Sequence, residues 1–268
     1  MVSGALFQYP GSKGHLASRI VSLLPAHRTY VEPFAGTLGV LLAKSPSACE
    51  VVNDIDRKLV TFYRVLRDNP DELVRRCELT PYAEVELDAT MSLDEPDDEI
   101  EVARRFWLSR DMSINGKGRT FNFTNMTTAR AHIARMKEVA NRLADAVILC
   151  RDYYDVFEQF DAEDTLFYCD PPYLGSTRTS GVYEHELRGL DEHQQFADVV
   201  NSARGMVLVS GYPSAEYDEL FPGDRWRYID FEVTSTVSVA GNGRGKAATE
   251  RLWANFPLAE QQRMFAFA

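Results

Sequence analysis

Short apolar runs alternate along the chain with stretches whose apolar positions recur at helical spacing. Residues 29–31 (Thr-Tyr-Val) predict a strand, followed by the turn 32–36 and a helix from about Leu38. Residues 49–52 predict a second strand ending in Asn53-Asp54, with a helix over 56–67. Three more apolar strands are expected at 146–150, 165–169 and 206–209, with a helix led by Leu190 and Asp191 between the last two. Strands alternating with helices predict an α/β fold with a doubly wound, mostly parallel sheet. Strand character at 226–238 and 250–256, joined by the Gly-rich run 241–246, predicts a C-terminal antiparallel hairpin with a basic tip. In doubly wound sheets ligands lie beyond the carboxyl ends of the strands. The residues after Val31, Val52, Cys150 and Cys169 are therefore expected to converge.

The alternation breaks between about Asp56 and Asp145, where helical patterns dominate. We read 57–145 as a helical insertion into a sheet domain made of 1–56 and 146–268. Within it, Asn125 is placed to cap a helix with an apolar face of Ile133, Met136, Val139, Ala140 and Leu143. A polar loop before that helix interleaves Asn115, Gly116, Lys117, Gly118, Arg119 and Asn122 with Phe121 and Phe123. The acidic run 94–101 reads as a solvated turn, with Asp97 and Asp98 suited to a helix N-terminus.

With 268 residues, 45% of them hydrophobic, the chain can bury a large α/β core. No apolar run approaches the roughly 20 residues of a membrane helix, and no leader pattern is visible at the N-terminus. The four cysteines are scattered without a Cys-x-x-Cys pair, so no metal is expected, and a reducing cytoplasm fits. Cys49, Cys150 and Cys169 border apolar strands and are expected to be buried thiols. The net charge of −11 argues against a nucleic-acid partner until its distribution is read. Residues 50–101 hold 16 acidic and 6 basic side chains, whereas 104–151 hold 10 basic and 3 acidic. An acidic protein can present one basic face to phosphate.

The sharpest chemical signal is Asp170-Pro171-Pro172-Tyr173, directly after an apolar strand. Two prolines stiffen the backbone and remove two N–H donors. What remains is an acceptor surface made by the Asp170 carboxylate and the Pro171 carbonyl. A planar amino group has two hydrogens to donate and a lone pair delocalised into its ring. Holding both hydrogens pulls the nitrogen toward tetrahedral geometry and exposes the lone pair, while Tyr173 can stack on the ring. By itself the tetrapeptide leaves DNA, RNA and amide acceptors open, and a rigid turn ending a strand is the plain structural alternative.

Four segments together carry a resemblance. Phe7-Gln8-Tyr9-Pro10-Gly11-Ser12-Lys13, Val31-Glu32-Pro33-Phe34-Ala35-Gly36, Asn53-Asp54-Ile55-Asp56 and Asp170-Pro171-Pro172-Tyr173 resemble, in the same order, the Dam-like family of DNA adenine-N6 methyltransferases. The resemblance implies a Rossmann-like methyltransferase sheet with a helical target-recognition insertion. It implies S-adenosyl-L-methionine as cofactor and double-stranded DNA as partner. Tyr9, with Pro10 beside it, would lie near the methionine end of the cofactor, and Lys13 matches the family's lysine. The turn Glu32, Pro33, Phe34, Ala35 and Gly36 would approach the cofactor. Asp54 would bind the ribose hydroxyls, Ile55 would pack on the adenine ring, and Asp152 and Tyr153 resemble the pair near that adenine. Asp170 would face both the methionine moiety and the target amine. The chain departs from the family at Thr37-Leu38-Gly39, where more glycine or serine is usual, which bears on the shape of the methionine pocket.

Two other cofactor motifs fail on spacing. Residues 10–14 lack the pattern of a phosphate loop, and the turn after the first strand is not that of a nicotinamide-dinucleotide fold. The target base would have to be flipped out of the duplex. Lys117, Arg119, Asn122 and Arg130 are candidates for DNA contact, with Arg178 in the polar loop 174–183 and Arg244 and Lys246 at the hairpin tip. Competing functions are cytosine-N4 or RNA-base amino methylation, and a catalytically inactive DNA-binding relative. Asp rather than Ser before Pro-Pro-Tyr favours adenine.

Overall fold

The computed structural model describes residues 4–9, 11–91, 96–173, 189–234 and 247–258. Pro10, Arg178, Arg244 and Lys246 lie outside the described residues, as do loop 174–183 and the hairpin tip. Two compact units are present, one comprising Met1–Leu24 and Glu32–Tyr153, the other Pro25–Val31 and Tyr154–Ala268. One seven-stranded sheet contains β1 (Thr29–Glu32), β2 (Cys49–Asn53), β3 (Val147–Leu149), β4 (Thr165–Cys169), β5 (Met206–Gly211), β6 (Arg227–Thr234) and β7 (Ala247–Ala254). Their order is β3-β2-β1-β4-β5-β7-β6. This is the mostly parallel, doubly wound sheet expected, with the antiparallel hairpin at one edge.

The first unit pairs β2 with β3 in parallel, Val51↔Val147 through Asn53↔Leu149. Its helices among the described residues are α1 (Ala17–Leu23), α2 (Gly39–Ala43), α3 (Arg57–Asp68), α4 (Pro70–Leu79), α5 (Glu84–Thr90), α6 (Glu99–Asp111) and α7 (Met126–Leu143). Local chemistry starts several of them. Asp56 accepts hydrogen bonds from the Lys58 and Leu59 amides to open α3, and Asp98 accepts from Ile100 to open α6. Pro70 sits at the first position of α4, where a missing N–H costs nothing. Helix α7 buries the expected face of Ile133, Met136, Val139, Ala140 and Leu143. Asn125 makes no side-chain cap; its amide instead donates to the Asp111 carbonyl at 2.7 Å, tying the end of α6 to the start of α7.

The N-terminal segment belongs to this helical packing. Phe7 meets Phe62 and Phe106 edge-on at 5.4 and 5.5 Å. The Trp107 indole donates to the Leu6 carbonyl at 2.9 Å, and Arg135 donates to the carbonyls of Ala5 and Gly4. A second tie is ionic: Glu50 on β2 accepts from Lys44 and from Arg142 of α7, all three nearly buried.

The second unit pairs β1 with β4 and β4 with β5 in parallel, and β5 with β7 antiparallel. Strands β6 and β7 pair from Arg227↔Ala254 to Thr234↔Ala247. Helices α8 (Tyr153–Phe160), α9 (Leu190–Ser202) and α10 (Ala215–Leu220) connect the strands. All five residues of β4 are buried, as a central strand covered on both faces requires. Strand β3 lies at the sheet edge, with Val147 41% exposed. The Cys150 thiol that follows it is exposed and Cys49 is half-buried, so of the three thiols expected to be buried only Cys169 is.

Candidate active site

The sheet register places polar side chains around Asp170. Cys169 pairs with Val209, so Ser210, one residue further along β5, stands beside Asp170. The Ser210 hydroxyl donates to Asp170 Oδ1 at 2.7 Å. Tyr173, only 5% exposed, directs its hydroxyl at the same oxygen at 3.3 Å, and also donates to Oε1 of Glu250 on β7. Tyr212 meets the Tyr173 ring edge-on at 4.8 Å. Burial, then the neighbouring Asp170 and Glu250 carboxylates, push the Tyr173 pKa well above its ordinary value, so the phenol stays protonated and remains a donor. The carboxylate at the end of β4 is thus held by the Ser210 hydroxyl, with the Tyr173 oxygen beside it.

Ser210, Tyr212 and Glu250 are absent from the residues that sequence reasoning selects. Ser210 carries a usable signal, as the first polar residue after an apolar run. Glu250 carries another, since the same strand face continues with Leu252 and Ala254, both fully buried.

In the first unit the turns after β1 and β2 are locked together. The Ala35 amide donates to the Asn53 carbonyl at 2.8 Å. Buried Asn53 donates to the carbonyls of Pro33 and Arg151 and accepts from the Arg151 amide, each at 2.9 Å. Sequence reading marks Asn53 as a strand end and misses that it pins three strand-end turns. Asp54 accepts from the Gly36 amide at 3.1 Å and from the Asp56 amide at 3.0 Å, which orients its half-buried carboxylate. Gly36 has φ +46°, a left-handed conformation suited to glycine, and its carbonyl accepts from the buried Tyr63 hydroxyl at 2.7 Å.

The remaining cofactor candidates surround this turn. Ile55 is 47% exposed next to the Asp54 carboxylate. Phe34 and Tyr153 lie with ring centroids 5.5 Å apart, while Asp152 is exposed. Tyr9 approaches Gly36, and Arg110 lies over the Tyr9 ring at 5.2 Å. Ser12 meets Thr37 hydroxyl to hydroxyl at 3.0 Å, and buried Lys13 donates to the Gly11 carbonyl. Glu32 accepts from the Leu41 amide at 2.8 Å, which satisfies the start of α2, where Leu38 gives no cap. An oriented carboxylate beside an exposed apolar side chain, next to a close backbone turn, fits a nucleoside with a charged tail.

Comparison with known proteins decides the family. The sequence profile of the D12 class N6 adenine-specific DNA methyltransferases matches residues 9–230. The chain belongs to that family. It is similar to the DNA adenine methylase of Vibrio cholerae, 25% identical over 90% of this chain and 92% of that one. The DNA adenine methylase of Salmonella typhimurium is 27% identical over 90% and 92%. A Type II methyltransferase of Lactococcus lactis, M1.LlaDCHI, is 24% identical over 93% and 94%. The chain is therefore an enzyme that methylates adenine N6 in DNA, and its methyl donor is S-adenosylmethionine.

For a DNA methyltransferase, the basic stretch 104–151 divides informatively. Arg104 and Arg105 pair with Glu101, Lys137 with Asp71, and Arg142 with Glu50. Arg135 binds the N-terminal carbonyls, and Arg110 donates to the Gly116 carbonyl at 3.0 Å. The side chains of Lys117, Arg119 and Arg130 are exposed and make no hydrogen bond or ion pair among the described residues. Lys117 and Arg119 sit on a loop closed by the Ser113↔Phe121 bridge, and Phe123 beyond it is 81% exposed. Asn122 turns its side-chain oxygen to the Thr124 amide and hydroxyl. Among the described residues, no three His, Cys, Asp or Glu side chains cluster as a metal site, and no helix is long and apolar enough to cross a membrane.

Proposed function

We propose that the enzyme methylates an adenine flipped out of duplex DNA at a short recognition sequence, with Asp170 and the Pro171 carbonyl holding the two hydrogens of the target amine. The supporting observation is the Asp170 carboxylate, held by the Ser210 hydroxyl and flanked by that of Tyr173 at the carboxyl end of β4. An acceptor fixed before the base arrives needs no reorganisation during the reaction. As the nitrogen becomes tetrahedral its lone pair turns toward the donor, and Pro171 and Pro172 keep the acceptors in place. Tyr173 lies against the base. Extrusion of the base costs about a few kcal/mol, offset by these contacts.

S-adenosylmethionine supplies an electrophilic methyl group. On this reading Asp54 binds its ribose hydroxyls and Ile55 its adenine, flanked by Phe34, Asp152 and Tyr153. Tyr9, Lys13 and the turn Pro33, Phe34, Ala35 and Gly36 hold the methionine end, and Glu32 shapes that turn from behind. The helical section 57–145 serves as the DNA-recognition part, with Lys117, Arg119 and Arg130 at phosphate or guanine edges and exposed Phe123 against bases. Modified-base sequencing of DNA from cells expressing the protein tests this directly. The expected result is N6-methyladenine within one short motif; methylation scattered without a motif, or on cytosine, overturns the reading.

A further inference from the structure

We propose that Glu250 is a positioning residue of the methyl-transfer site, acting through the Tyr173 hydroxyl; this rests on the reading that Asp170 and Tyr173 hold the target base. Glu250 lies beyond residues 9–230, the region that matches the family profile. It is 4% exposed, on a strand face otherwise given to Leu252 and Ala254. A strand that served only to complete the sheet would carry an apolar side chain there, because a buried carboxylate is costly without a polar partner. Glu250 accepts the Tyr173 hydroxyl, which also faces Asp170 Oδ1 at 3.3 Å, where Ser210 donates at 2.7 Å.

The consequence is geometric. Tyr173 follows two prolines, so its backbone is already stiff. A bond at the far end of the side chain removes the remaining freedom to swing about its first side-chain torsion. Glu250 thereby fixes the ring and the place of its hydroxyl beside the carboxylate that receives the amine. The ring face and the acceptor are held as one unit before the base enters.

The test uses single-turnover methyl transfer by the full chain at saturating S-adenosylmethionine and DNA. Glu250→Ala should slow transfer about tenfold or more while DNA and S-adenosylhomocysteine affinities stay within about twofold. Glu250→Gln, whose carbonyl accepts the same bond, should recover most of the rate. Tyr173→Phe should be slowed like Glu250→Ala, and the double variant should be no slower than the slower single one. Wild-type rate in Glu250→Ala, equal loss in Glu250→Gln, or multiplicative losses in the double variant overturns the proposal. If Glu250→Ala fails to fold, Tyr173→Phe decides, since wild-type rate there removes the link. The wild-type protein separates the two levels. No N6-methyladenine from it sinks the underlying reading, whereas normal methylation with an undiminished Glu250→Ala sinks only the role of Glu250.

Discussion

Asn53 does more for the candidate cofactor turns than any residue that would touch the cofactor. One buried amide satisfies the Pro33 carbonyl and both backbone groups of Arg151. Asn53→Ala should leave these unpaired, at about 1–3 kcal/mol per buried group before relaxation. The expected outcome is a lower melting temperature and a raised KM for S-adenosylmethionine, with the Kd for DNA little changed. Gly116 is equally constrained, with φ +66° and a position where a methyl would lie 2.2 Å from the Gln8 carbonyl oxygen. Gly116→Ala should destabilise by at least about 1–3 kcal/mol, measurable by denaturant unfolding. At this scale the sequence was legible where a residue's chemistry is unusual for its place. Asp54 and Asp170 stand out after apolar strands. Asn53 does not, and Ser210, though the first polar residue after an apolar run, is ordinary at a strand end until the register shows its neighbour. Glu250 breaks an otherwise apolar strand face, but its role needed the fold, since its partner is 77 residues away in sequence.

Among the elements, the loop between α6 and α7 and the N-terminal segment behave as one packed piece. Arg110 joins them: its guanidinium covers the Tyr9 and Phe106 rings, donates to the Gly116 carbonyl and lies 3.9 Å from Asp56. Arg110→Met keeps much of the packing and loses the charge and the hydrogen bond. It should weaken both S-adenosylmethionine and DNA binding, each by about tenfold or less, in separate equilibrium titrations. Arg119→Ala with Arg130→Ala should weaken DNA binding by about tenfold or more and flatten its salt dependence, while S-adenosylhomocysteine binding stays unchanged. Unchanged DNA affinity and salt slope would remove 57–145 from the recognition role. The strands were readable from periodicity, as were α2, α3, α6 and α9, and α7 was readable face by face, whereas α1, α4, α5, α8 and α10 were not singled out. The Asn125 side chain was not readable, because capping needs the side-chain oxygen to accept from a helix amide, and the bond its NH2 donates to the Asp111 carbonyl orients the side chain instead. The basic stretch overstates its free charge. Most of its cations are spent within the first unit, and only the structure separates them from Lys117, Arg119 and Arg130.

For the whole molecule, the acidic balance conceals both the basic loop and a buried ionic tie. Glu50 is desolvated, yet its hydrogen bonds from Arg142 and Lys44 hold its pKa below the ordinary carboxylate value. A depressed folded-state pKa gives stability that is present above the unfolded value and lost as pH falls through the folded one. Thermal stability should therefore drop as pH descends below the usual carboxylate range, and Glu50→Gln should blunt that drop while lowering stability at neutral pH by about 3–5 kcal/mol, the cost of stranding buried Lys44 and Arg142. Melting curves across pH read both effects. Methyl transfer on this reading turns on Asp170 and one atom of one base. Duplex DNA treated with the enzyme and labelled S-adenosylmethionine, then digested to nucleosides and analysed by mass spectrometry, tests it most directly. The wild-type protein should yield N6-methyladenine, and Asp170→Ala of unchanged fold at least about 100-fold less. Methyl groups on cytosine, or undiminished N6-methyladenine from Asp170→Ala, would contradict it.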